Sequence, residues 1–179
     1  MDYAVLDFET TGSVRGYAVE PWQVGLVFVR GGVVSLEGGM DSLLRVARDR
    51  PFNPMAPGRH ARLRDELSLA PLPGEVVPKL LEMTAGLTLV AHNTGTERKM
   101  LSHMAPLHRW GPWVDTLPLA RRFVPGLGDY GLESVVGALG LAGQVEGLCP
   151  GREAHDAYYD AVACAVVLAH FLTRCGGAA

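Results

Sequence analysis

Tyr3-Ala4-Val5-Leu6-Asp7-Phe8-Glu9-Thr10-Thr11-Gly12 opens the chain with an apolar run that takes on two acids before a glycine ends it. Side chains alternate along a strand, so Asp7 and Glu9 share one face of this run and Phe8 takes the other. Two carboxylates roughly 7 Å apart on a core strand repel each other and lose hydration. Such a pair is tolerable where a cation binds it or where water reaches it. On this stretch alone both readings stand: a solvated strand end, where acids are ordinary, and a cation site. The remaining sequence has to supply further acids and a base before the second is preferred.

Working outward, Trp22 to Val29 reads as a strand, Gly31-Gly32 as a tight turn and Val33 to Leu36 as the hairpin partner, an antiparallel meander with the acidic strand. Met40 to Arg50 is readable as a helix or as an irregular crossover, and prolines at 51, 54, 57, 71 and 73 break up the segment after it. Between them lies the most basic segment, Arg59-His60-Ala61-Arg62-Leu63-Arg64, either a lining for phosphates or a solvated face. Gly74 to Thr84 predicts a helix with Val76, Val77, Leu80, Leu81 and Thr84 inward. Leu87 to Ala91 is a short strand, followed by His92-Asn93-Thr94-Gly95 and a helix capped by Thr96 that runs to Met104, before Pro106. Trp113 to Asp115 is a brief strand, Thr116 to Phe123 a helix, Gly126 to Gly131 a loop and Leu132 to Leu139 a helix closed by Gly140. After a turn at Leu148 to Gly151, a long helix from Glu153 to Thr173 finishes the pattern. Strands that alternate with helices after a meander predict an α/β fold, a mixed sheet with helices on its faces, in one domain over 1–179.

A chain of 179 residues with 48% hydrophobic and 20% charged content suits a globular domain with its own core. Its formal charge of -3 supplies no overall basic field, which weighs against a tight non-specific duplex binder but not against an enzyme holding a few nucleotides in a local cleft. Cys149, Cys164 and Cys175 have no metal-ligand spacing and are an odd number for a disulfide framework, so a reducing cytoplasmic setting is expected. The absence of Cys/His metal spacing also argues against a zinc hydrolase. An acid at position 2 is unlike a signal peptide, and the apolar run Ala161 to Leu172 is too short to span a bilayer, so no membrane partner is expected.

The second informative stretch is His155-Asp156-Ala157-Tyr158-Tyr159-Asp160. On a helix Asp156 and Asp160 align on one face, with His155 one position round from Asp156. His155 and Asp160 can both approach a site at the helix's N-terminal end. Either residue alone reads as a surface group; beside Asp7 and Glu9 that reading weakens.

With these residues in hand the chain resembles the DnaQ-like 3'-5' exonucleases of the histidine-containing DEDD branch, within the ribonuclease-H-like superfamily. Asp7-Phe8-Glu9-Thr10-Thr11-Gly12 is similar to their opening motif, His92-Asn93-Thr94-Gly95-Thr96-Glu97 to the middle one, and His155 to Asp160 to the last. Val114-Asp115-Thr116-Leu117 and Tyr130-Gly131-Leu132-Glu133 resemble further landmarks, so the likeness covers nearly the whole chain in order. The departure is Glu97, where the family expects aspartate. Glutamate keeps the charge and both oxygens but changes the reach, which leaves two outcomes open: the second ion is still held, or activity falls or the preferred ion changes.

The resemblance implies a ribonuclease-H-like fold and two-metal hydrolysis of phosphodiesters at the 3' end of single-stranded DNA or short RNA, releasing nucleoside 5'-monophosphates. Asp7 would bridge two divalent cations, Glu9 and Asp160 would complete the first, and Glu97 would support the second. All-oxygen ligation favours Mg2+ or Mn2+. His155 would be the general base, imidazole being suited to that task near neutrality. The backbone at Thr10, Thr11 and Gly12 would approach the terminal nucleotide, the glycine offering no side chain to block it, while His92 and Asn93 are candidates to organise the turn before Glu97 and, with Thr96, to border the substrate. Thr96 stands where proofreading relatives often carry an aromatic, which leaves less stacking surface. The alternative is an exonuclease-fold domain weakened or inactivated at Glu97 that binds nucleic acid or a protein partner. Relatives of this length include homodimers, for which Trp110, Trp113 and Phe123 offer an apolar patch; a monomer core accounts for them equally. No sequence feature supports polymerase association, and a free-standing enzyme is preferred.

Overall fold

The computed structural model of the protein describes residues 1–176. Three strands come first: β1 (Tyr3–Thr10), β2 (Pro21–Arg30) and β3 (Val33–Leu43). They pair antiparallel as a meander, and β4 (Thr88–Ala91) and β5 (Trp113–Asp115) then add in parallel on the other side of β1, in the order β3-β2-β1-β4-β5. The acidic strand is therefore central, as a run apolar on both faces requires. Val5 faces a core cluster with Val27, Val29, Val90 and the last helix, α7 (Ala157–Gly176). Ala4, Leu6 and Phe8 face the opposite cluster, with Val76 and Leu80 of α2 (Pro73–Thr84) and Met100 and Leu101 of α3 (Gly95–Met104). This is the mixed sheet with helices on both faces that the alternation predicts.

Several local readings need correction. β3 does not stop at Leu36 but runs to Leu43, with Ser35 opposite Phe28 and Met40 opposite Leu26. The intervening residues bulge, and a Cβ on Gly39 would sit 2.9 Å from the Leu26 carbonyl oxygen, so glycine there permits the strand to close up again. The helix reading of Met40 to Arg50 is thus wrong; beyond Leu43 the chain is an irregular crossover held by Leu44 N–H on Trp22 O and Val46 N–H on Leu67 O. Two short helices escaped the sequence reading. α1 (Arg64–Leu69) takes the end of the basic segment, and α6 (Ala142–Leu148) is masked by Gly143 and Gly147, poor helix formers. The N-cap of α3 is Thr94 rather than Thr96. Helix α7 begins at Ala157, not Glu153, because Asp156 accepts the N–H groups of Tyr158 and Tyr159 as an N-cap does. On α2, Val76, Leu80 and Thr84 are buried, while Val77 and Leu81 are half-buried at its flank.

Trp110, Trp113 and Phe123 do not form one patch. The tryptophans lean on the α2–α3 cluster, whereas Phe123, at the end of α4 (Thr116–Phe123), stacks on Phe171 of α7 across the sheet, with ring centroids 5.1 Å apart. Cys149 and Cys164 are buried free thiols; Cys175 lies outside the residues whose side chains are described.

Candidate active site

Asp7 and Glu9 emerge on the α7 face of β1 by strand alternation, with Glu9 buried and Asp7 half-buried. Opposite Asp7 in β2 stands Gly25. A Cβ on Gly25 would lie 2.2 Å from the carbonyl oxygen of Ala157 and 2.4 Å from Cα of Tyr158. The first turn of α7 therefore rests on bare backbone beside the acidic pair, which no other residue would allow. Gln23, opposite Glu9 and buried, fastens the same turn: its Oε1 accepts the Ala157 N–H at 3.3 Å and its Nε2 donates to Asp156 at 3.1 Å.

Asp156 is held from several sides. Arg152 donates to it at 2.9 Å, Arg59 pairs with its other oxygen, and Arg152 also reaches Asp41 at 2.6 Å. Asp156 thus anchors the helix and does not align with Asp160 in the cleft, as a helix starting at Glu153 would have it. His155 precedes α7 with φ of 65°, an uncommon conformation for a histidine. Its backbone N–H donates to Asp160 Oδ2 at 3.0 Å, which ties the backbone of this exposed histidine to the acid five residues on.

Glu97 comes from the other side of the sheet. It lies in the first turn of α3 and is buried. The turn that delivers it passes through Asn93, also left-handed with φ of 65°. Asp115 at the end of β5 holds that turn: it accepts the N–H of Asn93 at 2.9 Å and of Thr94 at 3.1 Å while capping α4 through Leu117 N–H at 2.9 Å. Sequence reasoning gave Asp115 no role. Its position directly before Thr116 at a helix start was the available signal.

The candidate residues converge on one cleft of about 280 Å³, lined by Asp7, Glu9, Glu97, His155 and Asp160, with Thr10, Gly12, His92, Asn93 and Thr96 around them. Thr11 is not among them. It is fully buried, its hydroxyl accepting Glu20 N–H at 3.1 Å and an N–H of Arg50 at 3.3 Å, so it shapes the turn from behind and its side chain cannot touch a ligand. Arg50, itself buried, also donates to the carbonyls of Pro51 and Ala18 and pairs with Glu20 at 2.8 Å. It is a support for the Thr10-Thr11-Gly12 turn that sequence reasoning missed. His92 is likewise committed: Nε2–H donates to the Tyr130 carbonyl at 2.8 Å, which leaves Nδ1 to accept from the Thr116 hydroxyl at 2.9 Å. Burial lowers its pKa and favours this neutral form.

The electrostatics of the cleft are those of crowded acids. Burial, then Asp160 and the neighbouring carboxylates, push Glu9 up to about 9 and Asp7 well above the usual carboxylate range. Burial raises Glu97 and Asp160 to about 7, against the lowering pull of backbone N–H groups. One buried oxygen of Asp7 and one of Glu97 meet no hydrogen-bond partner among the described residues. Glu9, His155 and Asp160 offer ligand atoms within 4.8 Å of one another, close enough to share a metal ion. Asp7 and Glu97 stand outside this trio but line the same cleft. Orphaned carboxylate oxygens and acids that resist ionisation are what a divalent cation would relieve, so the residues fit such an ion.

These raised values make stability depend on pH. The carboxyls hold protons in the folded state that the unfolded chain has released, so in the metal-free protein their contribution to stability is fully present below the ordinary carboxylate range and is lost as pH rises through about 9. A metal-free sample is expected to melt at a lower temperature near about pH 8 than near about pH 6, and Mg2+ or Mn2+ to raise the melting temperature more at the higher pH. Scanning fluorimetry with chelator and with added metal checks both.

Over residues 4–168 the chain matches the exonuclease (RNase T) family. Exodeoxyribonuclease 10 of Escherichia coli K12 is 29% identical over 172 residues, which cover 96% of this chain and 69% of the relative. Among solved structures, E. coli exonuclease I in complex with a dT13 oligonucleotide aligns with a TM-score of 0.75 at 14% identity, over 99% of this chain and 42% of that one. The nuclease domain of 3'hExo, a DEDDh family member bound to rAMP, aligns with a TM-score of 0.75 at 14% identity, over 97% of this chain and 92% of that one. The chain therefore spans less than half of exonuclease I, and at these identities the structural likeness speaks for the fold alone. With the family match running through β1, the middle motif and most of α7, this chain belongs to the exonuclease (RNase T) family.

Proposed function

We propose that this chain is a metal-dependent 3'-5' exonuclease that cuts phosphodiester bonds at the 3' end of single-stranded DNA or short RNA and releases nucleoside 5'-monophosphates. The observation that carries the reading is the convergence of Asp7, Glu9, Glu97, Asp160 and His155 from β1, α3 and the start of α7 on one cleft. Asp7, Glu9, Glu97 and Asp160 would hold two divalent cations, with Mg2+ or Mn2+ favoured by oxygen donors. When bound, the cations polarise the phosphodiester and make water a better nucleophile. The chain's own residues do the remaining work. His155, exposed at the cleft and held through its N–H by Asp160, accepts the proton of the attacking water. Gly12, with no side chain, lets the backbone approach the terminal nucleotide, and Thr10, Asn93 and Thr96 border that space. The curated relative is named an exodeoxyribonuclease, and one protein of the same fold was solved bound to rAMP, so DNA and RNA are both tested.

The test is incubation of 5'-labelled DNA and RNA single strands of matched sequence with Mg2+ or Mn2+. A ladder shortening from the 3' end with 5'-mononucleotide product is expected; internal cuts or products bearing a 3'-phosphate would overturn the reading. The second reading, a domain weakened at Glu97, rests on the glutamate that stands where aspartate is expected. Glu97→Asp separates the two. If the cleft is built around the longer side chain, shortening it lowers kcat by roughly tenfold to a hundredfold, the usual cost of an ångström-scale misplacement. If glutamate is the lesion, the same change raises kcat.

A further inference from the structure

A second cleft, of about 210 Å³, opens beside the candidate active site and is lined by Gly58, Arg59, Ala61, Arg62, Glu153 and Ala154. Pro57 and His155 line the first cleft and their chain neighbours Gly58 and Ala154 the second, so the two share a wall. That wall is thin: a Cβ on Gly58 would stand 2.9 Å from the carbonyl oxygen of His155. Two arginines line this space. Arg59 spends one nitrogen on Asp156, while its Nε is buried without a hydrogen-bond partner among the described residues. Arg62 is exposed and has no ion pair among the described residues. The opposing charge is Glu153, also exposed and without an ion pair there.

We infer that this cleft takes a backbone phosphate of the substrate strand on the 5' side of the nucleotide being removed, with Arg62 as the main contact, Arg59 as its support and Glu153 as a weakening charge. The inference rests on the exonuclease reading. A strand that leaves the active site over the Pro57–Gly58 and Ala154–His155 wall reaches the arginines next. A planar guanidinium offers a phosphate two parallel hydrogen bonds. The basic segment that looked like either a phosphate lining or a solvated face is then divided. Arg59 and Arg62 serve the strand, whereas Arg64 donates to the Arg50 carbonyl at 2.8 Å and lies over the Phe52 ring at 4.1 Å, a structural post.

The experiment compares wild type, Arg62→Ala, Arg62→Lys and Glu153→Gln on the p-nitrophenyl ester of thymidine 5'-monophosphate and on an oligothymidylate of roughly ten nucleotides. Arg62→Ala is expected to raise the oligothymidylate KM roughly tenfold, as loss of a charged hydrogen bond does, and to lower the salt slope by about 0.7. Its effect on the ester should be much smaller, Arg62→Lys should recover part of the loss, and Glu153→Gln should lower the oligothymidylate KM. Equal changes on ester and oligomer, or changes of the same sign for Arg62→Ala and Glu153→Gln, would overturn the inference. If wild type hydrolyses neither substrate, the exonuclease reading fails by itself. Fluorescence anisotropy of a labelled oligothymidylate in Ca2+ then still reads the arginine site: weaker binding by Arg62→Ala supports it, and unchanged binding removes it.

Discussion

Asp7→Asn is expected to abolish hydrolysis while raising the melting temperature of the metal-free protein. The two effects have one cause. Asp7 sits on the central strand with a buried oxygen that meets no partner among the described residues, and burial and the surrounding carboxylates raise its pKa well above the usual range. In the folded protein its ionised form is therefore disfavoured, and that cost is fully present above its raised folded pKa. Asparagine has the same outline without the charge, so the cost disappears; a neutral amide is far cheaper to bury than an unpaired carboxylate. The same exchange removes the charge that would hold divalent cations. Loss of several kcal/mol of Lewis-acid stabilisation corresponds to a fall in kcat/KM of about 10³ or more. Melting curves in chelator at about pH 8, metal titration by calorimetry and single-turnover hydrolysis test the pair of effects. A lowered metal-free melting temperature would show that the protein satisfies Asp7 by itself, and undiminished hydrolysis would remove it from the site.

Gly25→Ala is expected to damage fold and activity together. The added methyl would fall 2.2 Å from the Ala157 carbonyl oxygen and 2.4 Å from Cα of Tyr158, backbone atoms that have no rotamer to escape into. Helix α7 must lift from β2 at its first turn, straining the Gln23 bond to Ala157 N–H and carrying His155 and Asp160 away from Asp7 and Glu9. Overpacking of this kind costs about 1–3 kcal/mol or more. A shift of about 1 Å in the acids costs on the order of 10² in rate. Gly74→Ala is the control, since nothing lies within 4 Å of its added Cβ in α2. It should leave activity intact and change the melting temperature little, since Gly74 lies in the first turn of the helix. If both variants melt and turn over like wild type, α7 does not depend on the bare backbone of Gly25.

The features legible in the sequence are local. Alternation placed Asp7 and Glu9 on one face of a strand, the 3.6-residue period marked α2 with Val76, Leu80 and Thr84 inward, and spacing joined His155 to Asp160. Those readings hold because each depends on residues within a turn or two of one another. The errors are equally physical. Glycines hid the bulge in β3 and the whole of α6, because their conformational freedom carries no periodic signal. Helix α7 starts later than its periodicity suggests because Asp156 caps it by accepting the Tyr158 and Tyr159 N–H groups, and Arg59 and Gln23, far away in sequence, hold Asp156 in that place.

The division within the site runs along the same line. Three motifs in the sequence, through the family they resemble, indicated which acids and which histidine come together, and Asp7, Glu9, Glu97, His155 and Asp160 do line one cleft. Only the tertiary structure decided which flanking residues face the cleft. Thr11 turns inward because Arg50 and Glu20 claim its hydroxyl, and His92 is committed because Tyr130 and Thr116 take both ring nitrogens. A buried polar group goes where its hydrogen bonds are, and those partners are fixed by folding rather than by neighbours in the chain.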